Sequence, residues 1–307
     1  MHLWKRHKNK LVGLLLAAAL CALAVAGAAG ASSAKPSVLP EKAEPIVGAK
    51  VYSNKKASID ASNLSEGYIM VRYTGGKNVR IKVQITRSGG PTYTYDLNNA
   101  GTAETFPLTE GNGSYTVKVF ENTTGNKYAQ AYSTTVDMTL RNDFLPFLYP
   151  NQYVDYTMDS QTVAKGAELC QGKEGDLAKV EAVFDWVVDN FSYDYDKAAT
   201  VKSGYLPVVD TILAAKKGIC FDYAAVMTAM LRSQNIPCKL VVGYAGTVYH
   251  AWIDVYVEGV GWIDGAIYFD GEEWTLMDPT FTSNGKRSPA IMKYVTTPSN
   301  YSQKYAY

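Results

Sequence analysis

The apolar residues of this chain change their period near residue 141, and that change constrains the fold more than any other feature. Before it, short runs alternate apolar and polar residues: Tyr68-Ile69-Met70-Val71-Arg72-Tyr73, Val79-Arg80-Ile81-Lys82-Val83-Gln84-Ile85 and Ser114-Tyr115-Thr116-Val117-Lys118-Val119-Phe120. A period of two sends successive side chains to opposite faces of a strand. Turn formers at Thr74-Gly75-Gly76, Ser88-Gly89-Gly90, Glu110-Gly111-Asn112-Gly113 and Thr124-Gly125-Asn126 separate the runs at sandwich-like spacing. Residues 50–141 are therefore expected to form an all-β, immunoglobulin-like sandwich. This stretch contains neither Cys nor His, so a structural or adhesive role is expected of it.

After the change the pattern is helical, then strand-like, which makes residues 142–307 an α+β domain. Leu177, Val180, Phe184 and Val187 share one face of a helix over 176–190. A second helix should begin at Cys220, with Tyr223, Val226, Met227 and Met230 on one side. It should end at Asn235-Ile236-Pro237, because proline lacks an amide hydrogen and clashes with the preceding turn. Strands follow over 239–244 and 250–257. In the second, Ala251, Ile253, Val255 and Val257 form a buried face while His250 and Trp252 point to the other. Tyr301 to Tyr307 reads as a final aromatic strand.

The first residues read as an export leader. Lys5, Arg6, Lys8 and Lys10 precede an apolar run from Leu11 to about Ala29 and small residues suited to signal peptidase, so 1–34 is expected to be a signal peptide and 35–49 a linker. The run approaches the length of a bilayer span, which makes an uncleaved anchor the alternative. Leu20 before Cys21 is too large for lipoprotein processing. Loss of the leader moves the formal charge from +1 to about −3, which argues against nucleic acid as a partner. The expected location is secreted or cell-surface, with membrane contact only through an uncleaved leader.

Cys170, Cys220 and Cys238 remain, an odd number that does not make a disulfide framework. Cys238 sits in a strand-like run, where a small buried thiol is the simpler reading than a bridge to Cys170. No Cys pair has zinc spacing, and the one histidine left beyond the leader, which carries His2 and His7, cannot build a His-rich metal site, so neither metal nor cofactor is expected.

That one histidine is His250, in Tyr249-His250-Ala251-Trp252-Ile253-Asp254. An imidazole exchanges protons near neutrality and can generate a thiolate, the nucleophilic form of cysteine. Cys220 stands at a predicted helix start, where unpaired amides and the helix dipole favour a thiolate, and Gly218 before it would admit a substrate backbone. The Cys220 amide could donate to an oxyanion, with Tyr193 or Tyr195 as a second donor. The base needs an orienting carboxylate. Asp254 lies about 13 Å along the same strand at 3.3 Å per residue, beyond hydrogen-bond reach. Asp264 and Asp270 sit beside glycines and read as turn residues, whereas Asp278 ends the strand-like run Glu273-Trp274-Thr275-Leu276-Met277 before Pro279.

Four blocks occur in order: Gly-x-Cys-x-Asp-Tyr-Ala from Gly218, Ile-Pro-x-x-x-Val-x-Gly-Tyr from Ile236, His-Ala-Trp-x-x-Val-Tyr from His250, and Trp-x-x-x-Asp-Pro-Thr from Trp274. Over roughly residues 145–285 the chain resembles the transglutaminase-like superfamily. The resemblance implies a papain-like α+β core and a triad of Cys220, His250 and Asp278. An earlier tryptophan block, Gly261-Trp262-Ile263-Asp264-Gly265, has Ala266 where the aspartate would fall, so 261–270 reads as an inserted hairpin. The superfamily includes transglutaminases, proteases and deglycosylating amidases. The expected function is acyl-enzyme chemistry on a protein or peptide substrate, cell-wall peptide included. The alternative is a noncatalytic peptide-binding or adhesive surface module.

Overall fold

A computed structural model describes residues 34–36, 49–263, 267–269, 274–276 and 301–307. The leader, Asp264, Asp270 and Asp278 lie outside the described residues. Among the described residues no helix is long and apolar enough to cross a membrane.

The alternating runs fold as two facing antiparallel sheets. Strands β1 (Val51–Ser53), β2 (Ala57–Asp60), β3 (Tyr68–Tyr73) and β6 (Glu104–Pro107) form one, in the order β1-β2-β3-β6. Strands β4 (Ile81–Arg87), β5 (Thr92–Leu97), β7 (Gly113–Thr124) and β8 (Lys127–Met138) form the other, in the order β5-β4-β7-β8. In β4 the period is exact: Ile81, Val83 and Ile85 are buried while Lys82, Gln84 and Thr86 are not. They meet Ile59, Ile69, Val71, Val117 and Val119 in the core, and the removal of this apolar surface from water drives the pairing.

Acidic residues are buried with them, Asp60 on β2 and Glu121 on β7. Glu121 on β7 accepts from Tyr73 at 2.6 Å, Lys56 at 2.7 Å and Lys77 at 3.2 Å. Burial alone would raise its pKa, but these donors outweigh it and hold the carboxyl at about 2. Its folded pKa is below its unfolded one, so the pair stabilises above pH 4.5 and the stabilisation is lost as pH falls toward 2. Glu121→Gln should flatten the fall in unfolding midpoint across that window, measured by denaturant titration at stepped pH. An unchanged slope would contradict the assignment.

The rest of the chain is α+β. Helices α1 (Gln161–Cys170), α2 (Gly175–Asn190), α3 (Tyr195–Thr200), α4 (Val209–Ala215) and α5 (Cys220–Ser233) are joined by β9 (Ser192–Tyr193) and β10 (Lys217–Gly218), which pair in parallel. A sheet of order β13-β12-β11-β16 follows, from β11 (Cys238–Ala245), β12 (Val248–Val257), β13 (Gly261–Ile263) and β16 (Tyr301–Ala306). The final aromatic strand is thus present as the edge beside β11. A separate hairpin pairs β14 (Ile267–Phe269) with β15 (Trp274–Leu276).

Two expectations are corrected here. The inserted hairpin is not 261–270: Gly261-Trp262-Ile263 continues the main sheet beside β12, and the extra hairpin is Ile267 to Leu276. Nor does β12 have only one buried face. Ala251, Ile253 and Val255 join the core cluster that contains Val226 and Met230 of α5, but Trp252 is also buried, against Val241 and Ala306. Phe144, Phe147, Tyr256 and Trp262 form a connected set of ring contacts, with Phe144 and Tyr256 at 4.2 Å and Phe147 and Trp262 at 5.2 Å. This packing comes from residues distant in sequence, which strand alternation does not reveal.

The sandwich and the α+β region share one compact unit. Thr109 donates to the Ala306 carbonyl at 2.8 Å, the Ala306 amide donates to the Tyr93 hydroxyl at 3.3 Å, and Tyr93, Tyr95 and Tyr153 pack around Tyr307. Residues expected to belong to a linker also dock: Lys35 donates to both oxygens of Asp176 on α2, at 2.8 and 2.7 Å.

Candidate active site

The site is built outward from the first turn of α5. Ile219 enters in extended conformation, and Asp222, three residues on, turns back to accept the Ile219 amide at 2.9 Å. An acidic side chain at this position satisfies an amide that the helix leaves without a partner. Asp222 is fully buried and holds two further donors, the Tyr205 hydroxyl at 2.7 Å and the Lys197 ammonium at 2.6 Å. Burial, then the bond to Asp222, pushes the Tyr205 phenol well above its usual range, so it stays a donor. Lys197 is itself set over the Tyr205 ring at 4.2 Å and anchored near α3, whose first turn Asp194 caps.

Gly218 serves this arrangement rather than a substrate. A Cβ there would come within 2.6 Å of the Asp222 Cβ and 2.8 Å of its Oδ2. The space expected to admit a substrate backbone is already filled by the carboxylate that pins the helix start.

Cys220 opens α5, partly exposed, whereas Cys170 and Cys238 are buried; all three are free thiols. Burial pushes the Cys238 thiol up to about 12 and raises that of Cys170, which leaves both inert as nucleophiles. His250 sits on β12 opposite Gly243 of β11 and is buried. Cys220 and His250 line the same cavity, of about 580 Å³, which is within the range that holds a small ligand or a short length of peptide. Tyr153, Tyr193, Tyr205, Phe221 and Tyr249 supply aromatic wall. Burial raises the Tyr249 phenol, with Tyr305 and Tyr244 adding to the shift.

Of the two tyrosines considered as oxyanion donors, Tyr193 lines this cavity; Tyr195 is 69% exposed and is not among the lining residues. Asp254 is buried on β12 in register with Lys239. Asp278 falls outside the described residues, so its approach to His250 is not part of this geometry. Among the described residues no group of three or more His, Cys, Asp or Glu side chains is arranged to hold a metal.

Sequence reading missed Asp222, Lys197 and Tyr205 as supports. The signal for Asp222 was present, an acidic residue three positions after a helix entry. It also missed Lys82, Thr94 and Asp96, sandwich residues that form one wall of the cavity, because only tertiary packing brings them there.

Residues 163–279 match the model of the transglutaminase-like superfamily. The UPF0252 protein MJ1282 of Methanocaldococcus jannaschii is 31% identical over 150 residues, 44% of this chain and 40% of that protein. Mouse kyphoscoliosis peptidase is 27% identical over 147 residues, 42% of this chain and 20% of that protein. The chain therefore spans less than half the length of these curated relatives. A solved structure from Cytophaga hutchinsonii, titled as a cysteine protease assignment, aligns with 78% of this chain and 83% of its own at 17% identity and a TM-score of 0.39.

Proposed function

We propose that this chain, with a transglutaminase-like domain over residues 163–279, is an exported cysteine-nucleophile enzyme that forms an acyl-enzyme at peptide or amide bonds of extracellular or cell-envelope substrates. The observation that carries the reading is a partly exposed Cys220 at the first turn of α5, in a cavity that His250 also lines. In this mechanism the Cys220 thiolate attacks the carbonyl carbon and the C=O electron pair moves to oxygen. The Cys220 amide, freed from intrahelical bonding by its place in the first turn, donates to that oxyanion, and the Tyr193 hydroxyl is the second donor. His250, which took the proton of the Cys220 thiol, passes it to the departing amine as the oxyanion re-forms C=O and the C–N bond breaks, leaving a thioester. Water completes hydrolysis, or an amine completes transfer. Asp278 orients the imidazole.

The test is mass spectrometry of a mixed peptide library incubated with the protein, with and without a small primary amine. New termini or converted side-chain amides are expected, and amine adducts appear only if transfer competes with hydrolysis. Asp278→Asn should lower the rate by up to about 10⁴, the loss seen when a triad loses its orienting carboxylate, while Asp264→Asn costs little. An unmodified library would contradict the reading. A large loss in Asp264→Asn beside a normal Asp278→Asn would move the orienting role to Asp264.

A further inference from the structure

We infer that the β-sandwich is the specificity wall of the cavity and that Lys82, on β4, selects peptide substrates bearing a carboxylate side chain. The inference rests on the acyl-enzyme reading for what happens at Cys220, but its own content is where the substrate is held and by which charge.

Three observations support it. First, Lys82, Thr94 and Asp96 of the sandwich line the same cavity as Cys220 and His250. Second, this wall is built to stay in place. The chain between α3 and α4 rests on it at Gly204, whose φ of +87° favours glycine and where a Cβ would lie 2.5 Å from Asp96 Oδ2. Gln152, also on the cavity wall, donates to the Asp96 carbonyl at 2.6 Å and to the Glu104 carboxylate. The sandwich wall thus packs at Asp96 against the loop that carries Tyr205, which in turn holds Asp222 and the start of α5.

Third, among the described lining residues the charged side chains do not cancel: Lys82 and Lys202 are cationic and Asp96 is the one carboxylate, paired with Lys82 at 2.5 Å. The Lys82 and Asp96 side chains remain 25% and 34% exposed, so a ligand can reach them. An ammonium held by one carboxylate keeps donors for a second acceptor, and Lys202 on the same lining adds to the positive field. With aromatic rings on the same lining, the cavity suits an extended peptide that stacks its apolar part on tyrosine rings and presents an acidic side chain to Lys82. Charge complementarity of this kind sets selectivity more than total affinity.

The experiment measures fluorescence anisotropy of three short labelled peptides, identical except for one Glu, Gln or Lys, against the full-length protein at low and moderate salt. The Glu peptide should bind about fivefold tighter than the Gln peptide at low salt and lose that advantage as salt rises, the scale set by a partly exposed ion pair. Lys82→Met should remove the preference, and Lys82→Glu should reverse it toward the Lys peptide, with unfolding midpoints confirming that both variants fold. Equal affinities in the wild type, no measurable binding of any peptide, or a uniform drop for all three in Lys82→Glu would overturn the inference. Acylation of Cys220 by thioesters of the same peptides, followed by intact mass in parallel, reports on the enzyme reading separately.

Discussion

Cys220→Ser is expected to lower turnover on any substrate found by about 10⁶, since loss of a triad nucleophile has cost that much in a serine enzyme, while leaving the unfolding free energy within about 0.5 kcal/mol of wild type. The exchange of sulfur for oxygen is small in volume, and Cys220 is partly exposed at a helix start, so packing hardly changes. What changes is the nucleophile: a serine hydroxyl needs stronger base activation than a thiol, and this site offers a single imidazole. Cys170→Ser is the control. That thiol is buried and its pKa raised, so its loss should leave the rate near normal. Retention of most turnover by Cys220→Ser would mean that chemistry occurs elsewhere.

Arg232→Ala is expected to destabilise the protein by at least about 3 kcal/mol, read as a large fall in urea midpoint at unchanged slope. Arg232, near the end of α5, is fully buried and donates to three main-chain carbonyls: Cys238 at 2.9 Å, Tyr149 at 2.6 Å and Tyr307 at 2.7 Å. These lie at the start of β11, just beyond the 3₁₀ turn Leu145–Phe147, and just after β16. One guanidinium thus ties the nucleophile's helix both to the paired strands β11 and β16 and to the segment after the 3₁₀ turn. Burial lowers its pKa, which reflects the cost of holding a charge there. Truncation takes a donor from each of these carbonyls, of which Tyr307 keeps the Leu240 amide, at about 1–3 kcal/mol for each acceptor left unsatisfied, and opens a cavity. Arg232→Lys should recover only part of the loss, because an ammonium cannot span three divergent acceptors as a planar fork does. A midpoint near wild type in Arg232→Ala would show that water replaces the guanidinium at little cost.

Much of the architecture was legible because it is local. Alternation in β4 and β7 reports which residues face inward, and the helix from Cys220 to Ser233 follows from its apolar spacing and the stop at Pro237. Cys220 and His250 could be named because the chain offers so few groups of their kind. What resisted reading was whatever depends on contacts distant in sequence. On the second face of β12, Trp252 packs with Val241 and Ala306, and Tyr256 meets Phe144 and Trp262; Phe144 and Ala306 come from far along the chain. The tryptophan block at Gly261 looked inserted because its aspartate is missing, yet its backbone pairs with β12 and the extra hairpin follows it. Gly218 was assigned to a substrate because glycine signals close approach, but the atom that approaches is the protein's own Asp222. The sandwich, with neither Cys nor His, gave no sign that Lys82 and Asp96 would face the nucleophile.

The central claim is that Cys220 carries the acyl group with help from His250, and intact-protein mass spectrometry after brief exposure to an activated peptide ester tests it most directly. The account requires one acyl adduct per chain, mapped to the peptide that contains Cys220, absent in Cys220→Ser, and formed at least about a hundredfold more slowly in His250→Ala, as expected for loss of a general base. Labelling of Cys170 or Cys238 at a comparable rate, or a rate at Cys220 indifferent to His250→Ala, would contradict it.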